Sequence, residues 1–122
     1  MAIDNETLRF LGATSYIAAS FNLKDSADKI AGALVAALPN DPEAHVVHAF
    51  AKLQTRRPED CVSILQDKVL AKHPDHASAK AYLVLAHDMM GNKGERDRLA
   101  REVIEAGGDP EAVKMVEQAI AG

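Results

Sequence analysis

With 122 residues, the chain has room for one domain and a modest core. Aromatic residues make up only 4% and tryptophan is absent, while alanine and leucine abound, a balance that favours close-packed helices over a sandwich or barrel. The formal charge of −4 argues against nucleic-acid binding, and the single cysteine, Cys61, has no partner for an internal disulfide, which points to a reducing compartment.

The opening "MAIDNETLRF" shows no basic segment followed by an apolar one, so no signal peptide is expected. No uncharged apolar run approaches the roughly 18–20 residues of a membrane span, so no membrane insertion is expected and the cytoplasm is the expected location. A first helix is predicted over 7–21, "TLRFLGATSYIAASF", which is almost uncharged after Arg9 and so must be buried on most sides or bind something. "NLKDS" reads as a break, with Asp25 or Ser26 as the next cap. "ADKIAGALVAAL" then sets Ile30, Leu34 and Leu38 at i, i+4 and i+8, and Pro39 stops it. "PEAHVVHAFAKLQ" follows, with Val46, Val47, Phe50 and Leu53 apolar, and "TRRP" turns the chain. "EDCVSILQDKVLAK" puts Val62, Leu65 and Val69 on one stripe and ends at His73-Pro74. "HASAKAYLVLAHDMM" comes next, "GNKG" breaks the chain through Gly91 and Gly94, and "ERDRLAREVIEA" stops at Gly107-Gly108. "PEAVKMVEQAIA" closes the sequence. Seven helices and no strands are predicted.

A repeat underlies these elements. Asp41, Asp75 and Asp109 stand 34 residues apart, each at a polar-to-apolar transition. An Asp there can accept the free N–H groups of a first helical turn, Pro42 and Pro110 follow where a missing N–H costs nothing, and Glu43 and Glu111 complement the helix dipole. Apolar residues recur in the same register: Tyr16, Phe50 and Val84; Ala31, Leu65 and Leu99; Val35, Val69 and Val103. A helix-turn-helix unit with period 34 is the signature of tetratricopeptide (TPR) repeats. The expected fold is therefore all-α, a stack of helical hairpins covering about 8–41, 42–75 and 76–109, with a capping helix over 110–121.

Stacked hairpins of this kind curve, and the first helix of each lines the concave side. The register assigns Tyr16, Phe50 and Val84 to that side, with Ala19, Leu53 and His87 one turn later and Val46 one turn before Phe50. The predicted groove is mostly apolar and suits an amphipathic helix laid along it. Helix phase alone does not separate groove-lining residues from core residues.

Sites of chemistry are not in view. His45 and His48 are three apart on one helix, while His73, His76 and His87 are scattered, and there is neither HExxH nor CxxC, so no metal is expected. Cys61 sits at a small-residue position of the repeat and reads as a packed thiol. "GNKGER" follows a helix rather than a strand and reads as a turn, not a phosphate loop. Arg56 and Arg57 complement the C-terminal end of a helix dipole. No pair of carboxylates is singled out for acid–base work, and neither catalysis nor a cofactor is expected.

From Pro74 to Ile120 the chain resembles a known family. "HPDHASAKAYLVLAHDMMGNKGERDRLA" and "AREVIEAGGDPEAVKMVEQAI", with "ADKIAGAL" upstream, are similar to segments of TPR-like chaperones of bacterial type III secretion, namely the YscG-type needle-subunit chaperones and their Hrp-system relatives. The resemblance implies a chaperone that holds a self-assembling needle subunit as a monomer by binding its amphipathic helix, together with a small helical co-chaperone. It also places Tyr16, Val46, Phe50, Leu53 and Val84 in the groove. The alternative from the residues alone is a general TPR-like adaptor joining two other proteins.

Overall fold

The computed structural model describes residues 24–121, with side chains from residue 28 onward. The predicted helix over 7–21 lies outside the described residues. Six helices follow in order: α1 (Lys24–Ala37), α2 (Pro42–Gln54), α3 (Pro58–Ile64), α4 (Ala77–Met89), α5 (Lys93–Ala106) and α6 (Pro110–Ala121). A π-helical stretch, Leu65–Leu70, continues α3 without a break. Among the described residues the chain is all-helical, with no strand.

Local chemistry explains most boundaries. Asp41 is extended and its carboxylate accepts the Glu43 amide at 2.9 Å, opening α2 with Pro42 in the first turn. Asp109 does the same for α6, accepting the Glu111 and Ala112 amides at 3.1 Å each. Asp75, the third member of the series, is not the cap of α4. His76 takes that role, its Nδ1 accepting the Ala79 amide at 3.2 Å, because the turn closed by His76 N–H on the His73 carbonyl carries the chain one residue further before the helix begins. Helix α1 starts at Lys24, so Asp25 and Ser26 lie inside it rather than ahead of it. The break expected across "GNKG" is made by Gly91, whose φ of 77° ends the turn after α4, while Gly94 sits in the first turn of α5. Gly107 closes α5 in the left-handed conformation, φ 64°, where a Cβ is disfavoured.

Each helix packs on the next in sequence. In addition α2 lies against α4, and α4 against α6, whereas α1, α3 and α5 do not meet one another among the described residues. Alternate helices thus form a close inner row, α2–α4–α6, with the others set apart on the outside. Small residues permit the close approach: Ala44, Ala49, Ala79, Ala81, Ala86 and Ala112 are all buried. Between them Leu34, Cys61, Leu65, Val69, Leu83, Val84 and Val116 are fully buried. Outside the core, Asp28 on α1 is held by Lys52 Nζ at 3.3 Å and by Arg57, which ties the first described helix to the end of α2. Burial opposes ionisation of Asp28, but the hydrogen bonds from Arg57 and Lys52 outweigh it and hold its carboxyl below the usual range. No helix among the described residues is long and apolar enough to cross a membrane.

Candidate functional site: one face of the inner helix row

The inner row presents an aligned stripe. Among the residues with exposed surface are Glu43, Val47, Phe50 and Gln54 on α2 and Ser78, Tyr82, Leu85 and Met89 on α4, while His48, Lys52, Lys80 and Asp88 carry polar surface beside them. Both series step by four, three and four, the spacing of one helix face. The two faces adjoin. Phe50 and Tyr82 meet with ring centroids 4.9 Å apart, and Glu43 Oε1 accepts a hydrogen bond from His76 Nε2 at 2.8 Å. The ring pair crosses from helix to helix in mid-stripe, and the Glu43–His76 bond joins their N-terminal ends, so α2 and α4 run side by side in the same direction. Counting from the start of α6, the position equivalent to Tyr82 holds Met115, itself partly exposed.

The result is an apolar strip built from Val47, Phe50, Tyr82, Leu85 and Met89, flanked by Glu43 and Ser78 at one end and Gln54 at the other. Met89 is 41% exposed. Backed by a buried core, such a strip can bury the apolar side of another helix.

The structure places the sequence-predicted lining residues differently from one another. Phe50 lies in the stripe. Val46, Leu53 and Val84 are buried in the core behind it, and His87 is also buried, with Asn92 donating to its Nδ1 at 3.3 Å and its Nε2 without a partner among the described residues. Tyr16 and Ala19 lie outside the described residues. Val46 and Leu53 sit on the side of α2 turned to the core, while for Val84 the cause is a register change. Helices α2 and α4 begin 35 residues apart, not 34, and the segment between them contains the π-helical stretch, a geometry that accommodates one added residue. One residue turns a helix by about 100°. The counterpart of Phe50 is therefore Leu85, not Val84. Leu85 was missed for this reason, whereas Val47, Tyr82 and Met89 belong to helix positions outside the series built on Val46, Phe50 and Leu53. The signal that could have found them is the four-three-four spacing common to Glu43-Val47-Phe50-Gln54 and Ser78-Tyr82-Leu85-Met89.

The remaining candidates resolve simply. Cys61 is completely buried, and burial pushes its thiol up to about 12, so the thiolate that a nucleophile needs is not available at neutral pH. His45 Nε2 donates to the Pro39 carbonyl at 2.7 Å and pins the turn before α2. Burial lowers the His48 pKa, helped by the neighbouring Lys52 charge. No group of three potential metal ligands comes together among the described residues. Arg57 reaches back to Asp28, and Arg56 adopts a positive φ of 66° in the turn after α2. No protein-family model, curated protein or solved structure matches the chain.

Proposed function

We propose that this protein is a TPR-like helical-repeat protein whose inner face binds an amphipathic helix of another protein and shields it from self-association. The observation that carries the reading is the paired stripe on α2 and α4, four apolar or aromatic side chains and a methionine in matching positions of two parallel helices. Two parallel helices side by side leave a shallow furrow between them, and an apolar furrow accepts an amphipathic helix through its i, i+3, i+4, i+7 positions. Methionine and aromatic side chains suit this work, since they adapt to a partner's relief. The close inner row and the separated outer helices support the hairpin-repeat reading, with α2–α3 and α4–α5 as successive pairs and α6 as the cap.

The resemblance of the segment from Pro74 to Ile120 to type III secretion chaperones makes the partner specific. The bound helix is that of a small needle subunit, held in the cytoplasm before export. Covering its apolar side removes the surface through which it would polymerise, and binding shifts it to the monomer by mass action.

The test is a titration of the purified protein with the small helical subunit of the type III needle from the same host, followed by calorimetry and by the subunit's polymerisation. The expected result is a one-to-one complex that stays unpolymerised, and loss of both effects in Val47→Glu and Leu85→Glu chains that keep their helical circular dichroism. Polymerisation unchanged by an excess of the wild-type chain would remove the chaperone reading.

A further inference from the structure

A second apolar patch lies away from the inner face. Ile104 on α5 and Ile120 on α6 are 37% and 40% exposed, and both line a groove of about 510 Å³ bordered by Arg96, Asp97, Arg101 and Glu105. Asp97, Arg101, Ile104 and Glu105 follow at i, i+4, i+7 and i+8, so one face of α5 carries an apolar residue amid charges of both signs.

The charges on this face are not equivalent to those elsewhere on α5. Arg96 is held by Asp88 at 2.7 Å and Asp97 at 2.9 Å, and Arg98 is clamped between Glu95 and Glu102. Among the described residues Arg101 and Glu105 form no ion pair, although their i, i+4 spacing would allow one. A cation and an anion one turn apart, astride an exposed isoleucine, are complementary to the same surface rotated by half a turn. That is the requirement of a two-fold interface, in which each residue meets its counterpart's partner.

We propose that this face joins two copies of the chain, with α5 antiparallel to α5 of the second copy about a two-fold axis midway between Arg101 and Glu105. Ile104 and Ile120 form the apolar centre. Arg101 of each copy pairs with Glu105 of the other. The patch is small, so the dimer is weak, with a dissociation constant on the order of 100 μM. None of these residues belongs to the α2–α4 stripe.

Sedimentation equilibrium of the full chain at low salt tests the assignment. The wild type should shift from monomer towards dimer as its concentration passes about 100 μM. Ile104→Glu should stay monomeric with unchanged circular dichroism, because the position is exposed. Arg101→Glu and Glu105→Arg should each be monomeric alone, since each puts like charges across the axis. Their equimolar mixture should dimerise, because a chain with two acids there meets a chain with two arginines. A wild type still monomeric at about 1 mM, a folded Ile104→Glu that dimerises like wild type, or a mixture of folded variants that does not associate would each overturn the proposal. Val47→Glu should leave the dimer intact, which separates this interface from the helix-binding face.

Discussion

Adjacent residues Val84 and Leu85 should respond in opposite ways to substitution, because one is core and the other surface. Val84 is completely buried between α4 and its neighbours. Val84→Ala deletes two methyl groups, worth about 0.8 kcal/mol each in transfer, and leaves a cavity that adds to the loss, for a total of about 2–3 kcal/mol. Leu85 is partly exposed, so Leu85→Ala removes surface that water already reaches in part and opens no closed cavity; the loss should be about 1 kcal/mol. For a domain of this size about 1 kcal/mol moves the melting temperature by about 4 °C, which predicts drops on the order of 10 °C and 4 °C. Thermal unfolding followed by far-ultraviolet circular dichroism reads both. The order should reverse for binding: Leu85→Glu should fold and fail to hold the proposed partner helix, while Val84→Ala, below its lowered melting temperature, should bind it. A Leu85→Ala chain as unstable as Val84→Ala would refute the assignment of Leu85 to the exposed stripe.

Other consequences can be measured on the same material. His76→Ala should cost about 1 kcal/mol in urea unfolding by removing the cap of α4. His76→Asn should recover most of it, since an Asn side chain also caps, although the Glu43 bond is lost. The fold should weaken on acidification in two stages. His48 is harder to protonate in the fold than in the unfolded chain, so the unfolded state takes up its proton first and stability falls as the pH drops below 6.5. Asp28, whose carboxyl is held below its ordinary 3.8, contributes stability that is present above that pH and lost as the pH falls through the lower folded value. Urea midpoints across pH 3–7 (roughly the span of the two ordinary values) should therefore fall with pH, and in His48→Gln the upper stage should vanish. Cys61 should resist a thiol reagent at neutral pH in the native protein and react at once in denaturant.

The helices were legible in the sequence wherever a short-range rule governs. Asp41-Pro42 and Asp109-Pro110 announce α2 and α6 because capping needs only a carboxylate and two amides within one turn. Gly107 marks the end of α5 because the left-handed conformation penalises any Cβ. Where competing groups stood together, the rule did not choose. Asp75 and His76 can both cap, and the longer turn after His73 selected His76. The inner face was less legible for a geometric reason. A register counted at a fixed 34 residues stays in phase only while no residue is added, and the stretch Leu65–Leu70 is wound as a π-helix between α2 and α4. A one-residue slip is harmless for finding a helix and decisive for finding its face. It exchanged Leu85 for Val84. Ala-rich helices blur the distinction further, since Ala49, Ala81 and Ala86 read as weakly apolar on any side yet mark the closest crossings.

The proposed function requires the α2–α4 face to receive a helix. Methyl NMR spectra of the protein, recorded while it is titrated with the needle subunit's amphipathic helix, test it most directly. Saturable shifts are expected at Val47, Leu85 and Met89, with Val84 little changed and Ile104 and Ile120 unmoved. Shifts centred on Ile104 and Ile120, or no saturable shift at Val47 and Leu85, would contradict it.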